Sequence, residues 1–227
     1  MSSPYIIDEL YRFRDNFDNH TFDGEVIIID DFFENAEDIY QHITNRDYPL
    51  WKYNPETNTR NGIDYNDCRI TDTIGHPTRI NEVENQRLLD LCRRYFWKHN
   101  YDWKNIIEFN CFQTISQFDT KLQHYPHIDS ALHQTDDTST LNMLVYMDKE
   151  DDGGTAIYGG EWISNDESMD LLYPVEDIFE IERVIPAKFN RCVIFAGNRM
   201  HGAYINDYNK FKDDKWRYTF VRFYHPR

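Results

Sequence analysis

Hydrophobic positions in the first half of the chain predict one strand and two helices. Residues 25–33 (EVIIIDDFF) form an apolar run bounded by charges, which predicts a buried strand. Residues 35–45 carry acidic side chains in their first turn and predict a helix. In residues 81–100 the apolar positions recur near helical spacing, which predicts a second helix covering a sheet. These positions are Val83, Leu88, Leu91, Cys92 and Tyr95. Residues 54–77 are polar, contain Gly and Pro, and predict an irregular loop region.

From residue 108 the pattern changes to short apolar and β-branched runs separated by turn-rich segments. The predicted strands are residues 109–118, 140–147, 155–158, 192–196, 202–205 and 216–225. Short strands after a helical opening predict a mainly β fold with flanking helices, with a double-stranded β-helix (jelly roll) core like that of cupins. We expect a single domain over residues 1–227, in which residues 1–107 are a mixed support and residues 108–227 form the core.

The charge of the chain restricts its partners. The formal net charge is −16, which argues against nucleic acid and anionic membrane surfaces. It is compatible with a cationic or neutral substrate, a peptide or a small molecule. The alternative is that the acidity only serves solubility.

Cysteine usage and the N-terminus indicate the compartment. Four cysteines are scattered without a CxxC pair (Cys68, Cys92, Cys111 and Cys192) and are typical of reduced, mostly buried thiols. The N-terminus has no basic segment followed by an apolar run, so we expect no signal peptide. No stretch approaches the roughly 18 apolar residues of a membrane span. These features predict a soluble cytoplasmic protein.

The triplet His127-Ile128-Asp129, with His201 much later in the chain, predicts a metal site. Residues i and i+2 of a strand point to the same face, so His127 and Asp129 can bind one ion while the residue between them points away. Two histidines and one carboxylate form the facial set that holds Fe(II) and leaves positions open. The triplet alone is a weak signal, because the chain has nine histidines and forty acidic residues.

The last predicted strand adds a carboxylate receptor. Arg217 and Thr219 share one face of it, whereas Arg222 lies on the other and is expected to be a salt-bridging surface arginine. A buried guanidinium beside a hydroxyl binds both oxygens of a carboxylate. With an Fe(II) set upstream, this indicates a co-substrate that chelates iron and carries a second carboxylate, as 2-oxoglutarate does. Lys210 or Lys212 is the alternative carboxylate partner.

At these residues the chain resembles the 2-oxoglutarate-dependent Fe(II) oxygenases, in their prolyl-4-hydroxylase-like branch. The branch approaches its metal through Q-x-x-x-x-Y-x-x-G-x-x-Y-x-x-H-x-D. This chain keeps the register without a gap from Gln113 to Asp129, but Phe118 and His124 replace the tyrosines and Lys121 the glycine.

The resemblance continues to the end of the chain. The segment Leu144-Val145-Tyr146-Met147-Asp148, followed by Gly153-Gly154, stands for an apolar strand ending in Tyr-Leu-Asn and then Gly-Gly. A strand at residues 191–197 precedes His201, and Arg217-Tyr218-Thr219 represents Arg-x-Ser. Arg217 lies farther beyond His201 than the arginine usually does, and residues 206–214 account for the difference.

The resemblance implies roles for six residues. His127, Asp129 and His201 would bind iron, and Arg217 and Thr219 would hold the distal carboxylate of 2-oxoglutarate. Tyr146 would hydrogen-bond the same carboxylate, or it is only a core residue.

The resemblance also implies the reaction. The chain would be a dioxygenase that uses Fe(II), 2-oxoglutarate and O2 to hydroxylate a C–H bond of an unidentified peptidyl residue or small molecule, releasing succinate and CO2. Family halogenases lack the metal-binding carboxylate, so Asp129 favours hydroxylation. Two alternatives stay open at this point: a non-catalytic cupin-like binding module, and a metal-dependent cupin enzyme that does not use 2-oxoglutarate.

Overall fold

The secondary structure is built mostly of antiparallel strands. The computed structural model describes residues 11–44, 51–53, 59–60, 63–64, 69–71, 82–96, 103–112, 128–129, 140–159, 180–211 and 217–226. Within these residues the helices are α1 (Ala36–Ile43), α2 (Glu82–Cys92) and a 3-10 helix (Tyr208–Phe211). The strands are β1 (Thr21–Phe22), β2 (Val26–Ile29), β3 (Trp51–Tyr53), β4 (Thr59–Arg60), β5 (Ile63–Asp64), β6 (Arg69–Thr71), β7 (Trp103–Phe112), β8 (Leu141–Tyr146), β9 (Gly154–Gly159), β10 (Glu180–Pro186), β11 (Arg191–Ala196), β12 (His201–Tyr204) and β13 (Arg217–Pro226).

Two sheets organise the chain. The large sheet has the order β1-β2-β11-β8-β13-β7-β6-β3, and the small sheet has the order β10-β9-β12. Neighbouring strands in both are antiparallel. From β8 onward the chain enters the small sheet for β9 and β10, returns to the large sheet for β11, crosses to the small sheet for β12 and returns to the large sheet for β13. This alternation is a jelly roll, as predicted, and β4 and β5 form a separate ribbon.

The large sheet has two buried faces with different neighbours. Its outer face packs against both helices and the N-terminal aromatics, in one large apolar cluster. Members on β8, β11 and β13 are Leu141, Met143, Val145, Cys192, Ile194, Ala196, Phe220 and Tyr224. Its inner face shares a smaller cluster with the small sheet, made by Val26, Tyr146, Ile157, Ile185, Val193 and Phe195. Because strand side chains alternate, every second residue of β8 and β13 faces the space between the sheets.

The buried side chain of Asn190 ties the turn before β11 to the segment after β2. Its Oδ1 accepts from the Phe33 amide at 2.8 Å, and its Nδ2 donates to the Phe33 carbonyl at 2.9 Å. Its own amide donates to the Tyr146 carbonyl. The residue has φ 63°, a left-handed conformation that asparagine tolerates better than most residues. The contact fixes the end of β8, where the inner face carries Tyr146.

The sequence anticipated the order of elements better than their bounds. The strand at residues 25–33 is only Val26–Ile29, and the strand expected at 109–118 runs over Trp103–Phe112, with residues 113–118 outside the described part. β10 was not predicted, because its alternation is interrupted by charges in Glu180–Pro186. The stretch 54–77 contains three two- or three-residue strands where a loop was expected.

Three side chains were assigned to the wrong environment. Val83 is 67% exposed at the start of α2, and Tyr95, beyond the end of that helix at Cys92, is 36% exposed, whereas Leu88, Leu91 and Cys92 are buried as predicted. Arg222 is 1% exposed, and its guanidinium carbon lies 4.6 Å from the centroid of the Tyr224 ring. It is a core residue of the outer face and not a surface arginine, because β13 is covered by the helical layer. No helix in the described part of the chain is long and apolar enough to cross a membrane.

Candidate functional site

Asp129 and His201 come together at the edge of the small sheet. His201 begins β12, and the Asp129 amide donates to the Gly197 carbonyl at 2.8 Å, just beyond β11. The Asp129 Oδ2 atom lies 3.1 Å from His201 Nε2, and the histidine side chain is almost fully buried. Two of the three predicted ligands are therefore adjacent, whereas His127 lies outside the described residues.

The orientation of the His201 ring follows from its hydrogen bonds. Nδ1 lies 2.8 Å from the Arg199 carbonyl, which only accepts, so Nδ1 carries a proton. The ring also packs edge-on against Phe195, with centroids 4.7 Å apart. A backbone partner on one ring nitrogen fixes the tautomer that leaves the other nitrogen available to a metal. The Nε2 atom lies on the side of the ring that faces the Asp129 carboxylate.

The Asp129–His201 contact therefore fits a metal ion, by the chemistry of its donors. Among the described residues no group of three His, Cys, Asp or Glu side chains is placed to hold a metal ion. The third ligand predicted from the sequence, His127, is not among those residues. His124, Phe118 and the loop at residues 130–139 also lie outside the described part of the chain.

Sequence reasoning missed Asn142, which contacts both members of this pair. It lies in β8 and is fully buried, with Nδ2 2.5 Å from Asp129 Oδ2 and 3.3 Å from His201 Nε2. The available signal was an amide inside an apolar strand, at a position two residues from Leu144 and four from Tyr146, and so on the inner face. A buried polar residue in such a strand indicates a partner across the sheets.

Arg217 and Thr219 lie on the inner face of β13, as their spacing predicted. Arg217 is 4% exposed, and its Nη2 donates to the Gly154 carbonyl at 2.8 Å. Burial lowers the pKa of the Arg217 guanidinium, and the nearby Tyr146, Asp148 and Asp152 oppose that shift. The Thr219 hydroxyl is buried, and within the described part of the chain its Oγ1 has no hydrogen-bond partner. A buried hydroxyl and a buried guanidinium on one face of a strand are donors that could bind a carboxylate.

Tyr146 lies beside this receptor. It is the register partner of Thr219, and the Arg217 guanidinium carbon lies 5.8 Å from the centroid of its ring. Its hydroxyl lies 2.7 Å from Thr155 Oγ1 on β9, and burial raises its pKa. Tyr146 thus packs in the inner cluster and also places a polar atom near Arg217, so both roles considered for it are compatible with its position.

Lys210, the alternative carboxylate partner, faces acidic side chains. Its Nζ lies 3.9 Å from Glu150 Oε2 and 3.9 Å from Asp152 Oδ1. Lys212 lies outside the described residues. The buried cation on the inner face is Arg217, which keeps it the preferred assignment.

Comparisons with known proteins reveal the fold. No protein-family profile matches the sequence, and no curated protein matches it. HygX from Streptomyces hygroscopicus, solved with nickel and 2-oxoglutarate bound, is similar in structure with a TM-score of 0.53 at 14% identity, covering 89% of this chain and 83% of that one. SnoN, a non-heme alpha-ketoglutarate-dependent epimerase from nogalamycin biosynthesis, gives 0.55 at 11% identity, covering 89% and 79%.

A prolyl 4-hydroxylase from Phytophthora capsici gives a TM-score of 0.48 at 12% identity. The alignment covers 90% of this chain but spans only 59% of the length of that protein. The prolyl-4-hydroxylase-like branch therefore stays a prediction. The likeness to HygX and SnoN shows that this chain has the jelly-roll fold on which those proteins are built.

Proposed function

We propose that the chain is an Fe(II)- and 2-oxoglutarate-dependent dioxygenase that hydroxylates a C–H bond and releases succinate and CO2. One observation carries the proposal: the inner face of β8 joins the two halves of the required site. Asn142 contacts Asp129 and His201, and Tyr146, four residues along the same face, is the register partner of Thr219 and lies near Arg217. Strand geometry separates positions 142 and 146 by about 13 Å between Cα atoms, with both side chains on the same face.

One half of the site would hold the metal, and the other half would hold the distal carboxylate of 2-oxoglutarate. His127, Asp129 and His201 would bind the metal, with His201 held by its Nδ1 contact to Arg199. Arg217 and Thr219 would bind the distal carboxylate, with Tyr146 beside them. When bound, Fe(II) with 2-oxoglutarate and O2 supplies the oxidising chemistry, and the protein contributes geometry, exclusion of water and fixed charge.

The substrate is proposed only as a class. It is a peptidyl residue or a small molecule, cationic or neutral, because the chain carries a formal net charge of −16. Asp129 lies beside His201, and this contact supports a metal-binding set that includes a carboxylate, as a hydroxylase requires.

The test is an anaerobic titration of the purified protein with Fe(II) and then 2-oxoglutarate, followed by the visible charge-transfer band of the chelate. We expect a saturable band, and slow formation of succinate once O2 is admitted. Iron binding without a band would indicate a cupin enzyme that does not use 2-oxoglutarate. Failure to bind iron would indicate a non-catalytic binding module.

A further inference from the structure

Asn142 occupies the most enclosed position near the candidate metal centre. It is fully buried in β8, and its register partners on the flanking strands are Phe195 of β11 and Phe223 of β13. An amide surrounded by apolar side chains is costly unless its hydrogen bonds are made. In such surroundings the bonds that it does make are electrostatically stronger than in water.

The contacts of Asn142 fix the orientation of its amide. The Asp129 carboxylate only accepts, so the group at 2.5 Å from its Oδ2 must be the NH2 of Asn142 and not the carbonyl. The second N–H of that NH2 group lies towards His201 Nε2 at 3.3 Å. One NH2 group therefore contacts both residues of the Asp129–His201 pair.

The opposite side of the same amide makes no contact that stabilises the fold. Asn142 Oδ1 is buried and has no hydrogen-bond partner among the residues that the structure describes. An unsatisfied buried acceptor is a net cost. An apolar residue of similar shape removes that cost but also removes the amide contact to Asp129 Oδ2, so the two effects on folding oppose each other. The contacts of the Asn142 side chain are therefore made with Asp129 and His201, and the stability of the sheet does not explain its presence.

We propose that Asn142 is a positioning residue for the metal centre, holding Asp129 Oδ2 so that the other carboxylate oxygen is presented to the metal. The inference rests on the proposed function, since it concerns the ion that function requires. Because Nδ2 binds one carboxylate oxygen, Asp129 is restrained from binding the metal through both. Groups that orient metal ligands in this way are typically worth 10–100-fold in metal affinity.

The experiment is a titration of the metal-free protein with Co(II) alone, followed by its visible absorption. The variants are Asn142→Leu and, because Leu has a different shape, the smaller Asn142→Ala. The matched control is Asn85→Leu, since Asn85 lies on α2 and accepts from the Tyr224 hydroxyl on the outer face. Thermal unfolding of the metal-free proteins is measured in parallel.

We expect the Co(II) dissociation constant to rise about 10–100-fold in both Asn142 variants and to stay unchanged in Asn85→Leu. The metal-free Asn142→Leu protein is expected to unfold within a few degrees of wild type. Wild-type binding with an unchanged constant in both Asn142 variants would overturn this inference and leave the proposed function standing. A wild-type protein that does not bind Co(II) would overturn both.

Discussion

Arg217 donates a hydrogen bond to the carbonyl of Gly154, and this contact links the first residue of β13 to the first residue of β9. The two strands belong to different sheets, so the hydrogen bond of the guanidinium joins the two sheets. Arg217 is almost fully buried. This hydrogen bond restrains the guanidinium group. Its position beside Thr219 and Tyr146 makes it the centre of the proposed carboxylate clamp.

Replacement of Arg217 should affect 2-oxoglutarate far more than the metal. Truncating one partner of a buried, hydrogen-bonded charge pair costs about 2–5 kcal/mol, so Arg217→Ala should weaken 2-oxoglutarate binding at least about 30-fold. The Fe(II) affinity, measured in the same anaerobic titration, should change little. Lys210→Ala is the control and should bind 2-oxoglutarate as wild type does. Normal affinity in Arg217→Ala would move the clamp to Lys210 or Lys212.

Thr219→Val should separate binding from stability. The Thr219 hydroxyl is buried and has no partner in the described ranges, so the isosteric methyl should leave the thermal midpoint of the unliganded protein unchanged or raise it. A lost hydrogen bond to a charged carboxylate should weaken 2-oxoglutarate about 10-fold or more. Thr44→Val, at the end of α1, is the control for the same chemical change. A lower midpoint with unaltered affinity would show that the hydroxyl is purely structural.

Removal of either metal ligand from the His127-Ile128-Asp129 triplet should eliminate iron binding and turnover. His127→Ala and Asp129→Ala should each lower Fe(II) affinity by more than about 100-fold, because loss of a direct ligand exceeds the effect of losing a group that only orients one. His20→Ala is the control, since His20 contacts Tyr95 and Phe17 on the N-terminal side of the fold. Full activity in either triplet variant would refute the assignment.

Gly153, just before β9, and Gly154, the first residue of β9, should be intolerant of a side chain. A Cβ on Gly154, at φ 146°, would lie 1.9 Å from the Ile185 carbonyl oxygen, and one on Gly153, at φ 70°, would lie 2.0 Å from that of Tyr204. Gly24→Ala is the matched control, because Gly24 has φ 103° but open space around it. Gly154→Ala should lower the free energy of unfolding by about 2–4 kcal/mol, and Gly24→Ala by about 1 kcal/mol. The free energies of unfolding are measured by denaturant. If Gly154→Ala and Gly24→Ala lowered them equally, the positive φ angle alone, and not the close backbone atoms, would restrict these positions.

Asp148 should make stability depend on pH. Burial raises its pKa from 3.8 to about 6, and the Glu150 carboxylate adds to the rise. The backbone amides of Glu150 and Tyr218 and the charge of Arg217 lower the pKa and oppose this shift. The folded protein therefore holds this proton more tightly than the unfolded chain does. The contribution of Asp148 to stability is fully present below pH 3.8 and falls as pH rises through about 6, by on the order of 3 kcal/mol.

Asp148→Asn removes this titration and leaves an oxygen to accept the Glu150 amide, which contacts Oδ1 at 2.9 Å. Above pH 6 the variant should be more stable than wild type, by up to about 3 kcal/mol, and the difference should disappear near pH 4. Denaturant unfolding at several pH values measures it. A difference that is independent of pH would contradict the assigned cause.

Strand parity is the part of the candidate site that the sequence determined. The period of two placed Arg217 and Thr219 on one face and Arg222 on the other, and the structure has this arrangement. It also marked β8, β9, β11, β12 and β13 to within about two residues, because short apolar runs between turn residues are local signals. β10 was missed since its outward-facing charges interrupt that signal.

Contacts between the sheets were decided only by the tertiary structure. Strand register decides that Asn142 contacts Asp129 and His201 and that Arg217 donates to Gly154. The surface that covers each face of the sheet decides that Arg222 is buried under the helical layer. A side chain's face follows from its own strand, whereas its partner is set by pairing between segments far apart in the chain. The sequence therefore determined which residues point inward, and the packing of the two sheets determined which of them meet.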